Sequence, residues 1–140
     1  MIHAHIITPD GSIFDGEVDS LSLPTHDGEI TVLPHHIPLI SIVVPGTIVL
    51  RTGRDEHVFA VSHGVIEVDG KEIRILADTA DRAEELQEAA VERAKSAAEK
   101  LLAEKRLDVE GFAEASAIME REMARLSTIR RLKARGGRGR

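Results

Sequence analysis

Ile73-Arg74-Ile75-Leu76-Ala77-Asp78-Thr79-Ala80-Asp81 is the stretch where the chain changes character. Up to Ala77 apolar side chains recur with the period of two that marks strands, and beyond Asp81 they recur with a period of about 3.6, the mark of a helix. Everything N-terminal to this point reads as short β-branched runs separated by turn residues, the pattern of an all-β sandwich or barrel. Thr8-Pro9-Asp10-Gly11 is a turn, because Pro presets φ at one position and Gly accepts a positive φ at a later one. Asp15-Gly16, Pro24 to Gly28, Pro34 to Pro38, Pro45-Gly46 and Thr52 to Glu56 punctuate the runs that follow. His63-Gly64 and Asp69-Gly70-Lys71-Glu72 separate the last three, Asp-Gly being a strong hairpin signal. About eight to ten strands are expected. The chain has no Trp or Tyr and three Phe, so their core must be built from Ile, Val and Leu, whose stiff χ1 suits a pleated surface.

C-terminal to the switch, Asp78 or Asp81 is the candidate cap of a helix whose first turn holds Glu84 and Glu85. Leu86, Ala90, Arg93 or Ala94, Ala97 and Leu101 form its stripe, and Lys105-Arg106 its end. A connection over Leu107 to Glu110, with Asp108 as a capping candidate, leads into a second helix carrying Phe112, Ser116, Met119, Met123 and Leu126 on one stripe. So short a loop implies an antiparallel αα-hairpin. The expected class is therefore α+β: an N-terminal antiparallel β-sandwich over residues 1–83, then a C-terminal helical hairpin over 84–140 with a basic, partly disordered end at Arg135 to Arg140. The first helix's stripe is largely alanine, which removes little area from water, while both helices have high intrinsic propensity. Such a hairpin can separate without melting.

The 140 residues carry a net charge of −6 that is unevenly spread. Residues 1–83 have 5 basic and 13 acidic side chains, 84–120 have 5 and 10, and 121–140 have 8 basic side chains against Glu122 alone. A basic end on an acidic body either folds back on it or seeks an acidic partner. Duplex nucleic acid is disfavoured by that acidic body and by the want of aromatics to stack bases. With no cysteine, disulfides, thiolate chemistry and thiolate zinc sites are excluded. The first residues lack both a basic n-region and a long apolar stretch, so no signal peptide is expected. No apolar run approaches the roughly 20 residues of a membrane span.

Chemistry-bearing patterns are weak. His3 and His5 share a strand face and His35-His36 are adjacent, but no Asp or Glu stands at ligand spacing beside either pair, so no metal is expected. Ser62-His63 and Asp27 sit in no nucleophile elbow, and neither common phosphate-binding glycine loop is present. An independent enzyme is not expected. Gly28 to Leu39 is more suggestive, since Pro34 and Pro38 cannot donate backbone hydrogen bonds and stand among apolar residues in a bend suited to docking a partner. A free-standing β-domain that binds protein or nucleic acid through its helices is the alternative reading.

His5 through Gly16, Gly28 to Leu39, Val61-Ser62-His63-Gly64 and Leu76-Ala77-Asp78-Thr79-Ala80, in this order and spacing, resemble the epsilon subunits of bacterial F-type ATP synthases. The likeness covers essentially the whole chain. It implies a central-stalk subunit, peripheral to the cytoplasmic face of the plasma membrane, that sits on the gamma subunit and on the polar loops of the c-ring. Glu29 and His36 match the positions that face those loops, with Ile30, Pro34 and Leu39 supplying the apolar part. It further implies C-terminal helices that reach the catalytic beta subunits and inhibit hydrolysis, with Arg121, Arg125, Arg130, Arg131 and Lys133 as the basic contacts. Some members bind ATP through an aliphatic-Asp-x-x-Arg-Ala motif, which falls here on Ala89 to Ala94. Arg93 and Ala94 are kept, but the aliphatic and the Asp are both alanine, so weak or absent ATP binding and no cofactor are expected.

Overall fold

The computed structural model describes residues 1–104 and 108–138, the last four by their backbone alone. Ten strands come first: β1 (Ile2–Thr8), β2 (Gly11–Val18), β3 (Ser20–Thr25), β4 (Gly28–Val32), β5 (Leu39–Val43), β6 (Gly46–Thr52), β7 (Asp55–Val61), β8 (Gly64–Val68), β9 (Glu72–Ala77) and β10 (Ala80–Arg82). A 3₁₀ turn at Ala83–Glu85 leads to α1 (Glu88–Ala103) and α2 (Val109–Arg138). The sandwich followed by a helical hairpin is what the sequence pattern calls for.

The strands are ordered β10-β7-β6-β3-β5-β8-β9-β1-β2, with β4 added on β3. Thr25↔Val43 is the single paired position between β3 and β5, so the sheet folds over at this point into two layers. Every ladder is antiparallel except β1–β9, which runs parallel. Alternation then sorts the side chains. Ile2, Ala4, Ile6, Leu21, Leu23, Ile48, Leu50, Ile66, Ile73 and Ile75 point inward with Phe59 into one dry cluster. Phe59 meets Phe14 edge-on at 6.1 Å and carries the Arg82 guanidinium 5.1 Å above its ring.

The boundaries differ from expectation where tertiary contacts use residues that local signals assign elsewhere. Asp15-Gly16 is no turn: β2 runs through it, with Asp15 opposite His5, and the break falls at Asp19. Neither Asp78 nor Asp81 caps a helix. Ala80–Arg82 pairs with β7 as an edge strand, and α1 begins only at Glu88, with Gln87 as a cap that makes no side-chain bond. Asp108 is a true cap, accepting the Gly111 N–H at 2.7 Å. Lys105 and Arg106, where the first helix is expected to end, and Leu107, where the connection is expected to begin, lie outside the described residues. Arg135 to Arg138 continue α2 rather than forming an unstructured end.

The hairpin is antiparallel, as expected, but its stripes are not those expected. On α1 the buried residues are Val91 and Ala98, with Ala94 and Leu102 half-buried, while Ala90, Ala97 and Leu101 face solvent. On α2 they are Ala115, Glu122, Ala124, Leu126, Thr128 and Ile129, while Phe112 and Met123 are more than half exposed. Two surfaces bury α2. Val91, Leu126 and Ile129, with Leu86, form its seam with α1. Its other face crosses β6 and β7, burying Val49, Val58 and Ala60 on the outer face of that layer.

Gly64 shows why the Val61-Ser62-His63-Gly64 turn tolerates no side chain. A Cβ there would lie 2.2 Å from the Leu76 carbonyl oxygen, a backbone atom held by the β8–β9 ladder. Gly64→Ala is expected to cost about 1–3 kcal/mol and to lower Tm by roughly 5–20 °C. Differential scanning calorimetry of the two chains checks this, and an unchanged Tm contradicts it.

Candidate functional site

Three features stand outside the core. The first is the outer face of the β5-β8-β9-β1 layer. Register places Ile42 opposite Val65, Val65 opposite Leu76 and Leu76 opposite Ile7, so four apolar side chains form one row across four strands. Ile40, 75% exposed, lies beside that row, two residues along β5. The corresponding outer face of β6–β7 is hidden beneath α2, whereas among the described residues no helix packs on this one. An exposed apolar row of this extent marks an interaction surface.

The second is the bend between β4 and β5. His35 adopts φ 67°, the one positive φ outside glycine among the described residues, and the His36 N–H closes the turn on the Leu33 carbonyl at 3.1 Å. Glu29 is exposed at the edge of β4, and Pro34 and His36 are half-buried, the imidazole Nδ1 of His36 lying 2.7 Å from the Ile37 carbonyl. Ile30 and Leu39 are turned inward against the core cluster. The apolar side chains that the bend and its flank present are instead Leu33, 55% exposed, and Ile37, 76% exposed. Strand alternation could have assigned Ile30 inward; the exposure of Ile37 depends on the turn at His35.

The third is the seam between α2 and the sandwich. Arg125 Nε donates to Asp81 Oδ2 at 2.9 Å and a terminal Arg125 nitrogen to Glu122 Oε1 at 2.7 Å. Arg121 Nε reaches the same Glu122 oxygen at 3.3 Å, while Glu122 Oε2 is buried without a partner. The Thr47 and Thr128 hydroxyls are 2.8 Å apart and His63 Nε2 lies 2.7 Å from Glu120 Oε2. Of the basic residues expected to act together, Arg121 and Arg125 are engaged here. Lys133 pairs with Glu88 of α1, holding that carboxyl below its usual pKa, and Arg130 and Arg131 are exposed. The buried Glu122 was missed because a carboxylate on a helix reads as solvent-facing unless its partners are known.

A cavity of about 330 Å³ opens at the base of the hairpin, lined by Asp81, Glu85, Leu86, Ala90, Val91, Ala94, Glu122 and Arg125. Ala94 belongs to it, but Arg93 lies on another side of α1 with Glu92, Ser96, Ala97 and Lys100. The two motif residues kept from the nucleotide pattern are thus not brought together. Three carboxylates against one guanidinium also make poor lining for a polyphosphate.

The histidines have partners that sequence spacing hid. The β1–β2 ladder brings Asp15 to 2.5 Å and Glu17 to 3.3 Å from the two His3 ring nitrogens, and Ser12 to 3.0 Å from His5. Among the described residues no group of three or more potential ligands is placed to hold a metal.

These features define a β-sandwich that carries a C-terminal helical hairpin on one outer face and leaves an apolar row exposed on the other. The model of the ATP synthase delta/epsilon chain β-sandwich domain matches residues 1–83. The chain is 37% identical over 138 residues to the ATP synthase epsilon chain of Alkalilimnicola ehrlichii, covering 98% of both. It is 40% identical over 132 residues to that of Acinetobacter baumannii, covering 93% of this chain and 94% of the other. The chain therefore belongs to the ATP synthase epsilon chain family. Solved structures share the fold: a chain of the Euglena gracilis mitochondrial ATP synthase OSCP/F1/c-ring assembly superposes with TM-score 0.75 at 20% identity, over 88% of this chain and 78% of that one. A chain of the Tetrahymena thermophila mitochondrial ATP synthase central stalk and c-ring gives 0.59 at 13% identity, over 91% and 96%.

One pH effect follows from β1–β2. Desolvation pulls the His3 imidazole down, but the hydrogen bonds and charges of Asp15 and Glu17 outweigh it and raise its pKa above the ordinary 6.5. A pKa raised on folding gives stability that is present below the unfolded value and fades as pH rises through the folded one. His3→Gln is therefore expected to flatten the decline of denaturant stability as pH climbs from about 6 to 8. Parallel slopes in both chains contradict this.

Proposed function

We propose that the chain is a non-catalytic rotor subunit of an F-type ATP synthase, docking through its sandwich and restraining ATP hydrolysis through its C-terminal helices. The observation that carries this reading is the contrast between the two outer faces of the sandwich. One is covered by α2, and the other presents Ile42, Val65, Leu76 and Ile7, with no helix among the described residues packed on them. That bare row is the seat for the gamma subunit. The bend, with Glu29 and His36 at its rim and Leu33 and Ile37 at its crest, meets the polar loops of the c-ring.

Arg121, Arg125, Arg130, Arg131 and Lys133 all lie on α2, so a released α2 presents a basic rod to an acidic segment of the catalytic beta subunits. No helix among the described residues is long and apolar enough to cross a membrane, and attachment at the membrane is through the complex. Nucleotide plays no part in this reading, since Arg93 faces away from the acidic cavity.

Ile42 tests the docking face directly, because it is 56% exposed and its replacement leaves the core intact. Ile42→Glu would leave a charge unpaired in the contact and is expected to weaken co-purification with gamma at least tenfold, roughly, with Tm unchanged. Undiminished recovery of gamma would refute this face as the seat.

A further inference from the structure

Two sets of contacts hold α2, and they behave differently if the helix leaves the sandwich. Glu122 sits on α2 one turn before Arg125, so their 2.7 Å bond travels with the helix. Asp81 sits on β10, which is laddered to β7 and stays behind. It accepts from Arg125 at 2.9 Å. The Arg125 side chain is 20% exposed and Asp81 31%, so this is a partly desolvated, charge-assisted contact, stronger than a pair in open solvent. Among the described residues, the other polar ties from α2 to the sandwich, Thr47–Thr128 and His63–Glu120, include no permanent cation.

We propose that Asp81 is the latch that keeps the hairpin docked by masking Arg125, so that the same guanidinium either fastens α2 to the sandwich or is offered to an acidic partner. This rests on the reading of α2 as a brake and adds the residue that sets its release. Asp81 is a positioning residue in this role, acting through Arg125. The buried Glu122 has a complementary part. It moves with Arg125 and holds the guanidinium in a fixed rotamer, so the cation emerges preorganised and half-neutralised, selecting a partner with carboxylates at close range.

Because the chain has no cysteine, Thr47→Cys with Thr128→Cys gives a reporter whose rate of disulfide formation follows the docked population. In the isolated full-length chain, Asp81→Asn in this background is expected to slow cross-linking about fivefold or more, Asp81→Glu to keep most of the rate, and the neighbouring surface change Asp78→Asn to leave it as it was. In the assembled complex Asp81→Asn is expected to lower ATP hydrolysis, and oxidation of the cysteine pair to restore it. Equal cross-linking rates for Asp81→Asn and the parent overturn the latch, whatever hydrolysis does. Removal of residues 121–140 separates the two claims: if that leaves hydrolysis unchanged, the brake fails, while the cross-linking rates still decide the latch.

Discussion

The thin seam between α2 and the outer face of β6–β7 is the constraint on which the behaviour of this molecule depends. Val49 and Val58 are the large apolar side chains it hides, and α2 offers Ala124 and Thr128 against that face. Burial of a valine is worth about 1.5–3 kcal/mol at best, and ordering a helix on a surface costs side-chain entropy in return. What remains is a small balance in which three polar ties, Arg125–Asp81, Thr47–Thr128 and His63–Glu120, count for much. The sandwich is a different kind of object, with both layers emptying Ile, Leu and Val into one closed cluster. The architecture thus joins a densely packed body to an appendage held by a small apolar contact and these polar ties.

The same sorting of side chains gives each surface its part. Alternation along β5, β8, β9 and β1 that fills the core with Val43, Ile66, Ile75 and Ile6 also places Ile42, Val65, Leu76 and Ile7 on the outside. A strand with apolar residues on both faces has no reason to do so unless something covers the second face. In β6 and β7 that cover is α2; in the other layer Ile42, Val65 and Leu76 remain exposed. The row and the bend are held by one continuous sheet, so a force applied to one reaches the other through hydrogen-bonded ladders.

Much of this was legible in the sequence because strands alternate and turn residues have specific backbone needs. Most of the strands up to β9, the hairpin at Asp69-Gly70 and the cap at Asp108 follow from such local rules. Local rules fail where distant segments compete. Asp81 has the look of a helix cap, yet β10 is recruited to the edge of β7 and its carboxylate is taken by Arg125, 44 residues on. The stripe of α1 was misplaced because alanine serves equally on either face, and Val91 rather than Ala90 proves to be its anchor. On α2 a single stripe could not describe a helix buried on two sides. Of the residues expected at the bend, Glu29 is exposed, whereas Ile30 and Leu39 are half-buried against the core, and the exposed apolar side chains there are Leu33 and Ile37, which only the left-handed turn at His35 reveals.

The central claim, that α2 is fastened far more loosely than the strands beneath it, is open to native-state amide exchange on the isolated chain. Opening free energies across residues 121–134 should fall several kcal/mol below those of Ile48, Phe59, Ile73 and Ile75, and should respond to pH and salt without change in the strands. Opening of α2 only together with the inner strands, at one common free energy, would show a single welded unit and contradict the account.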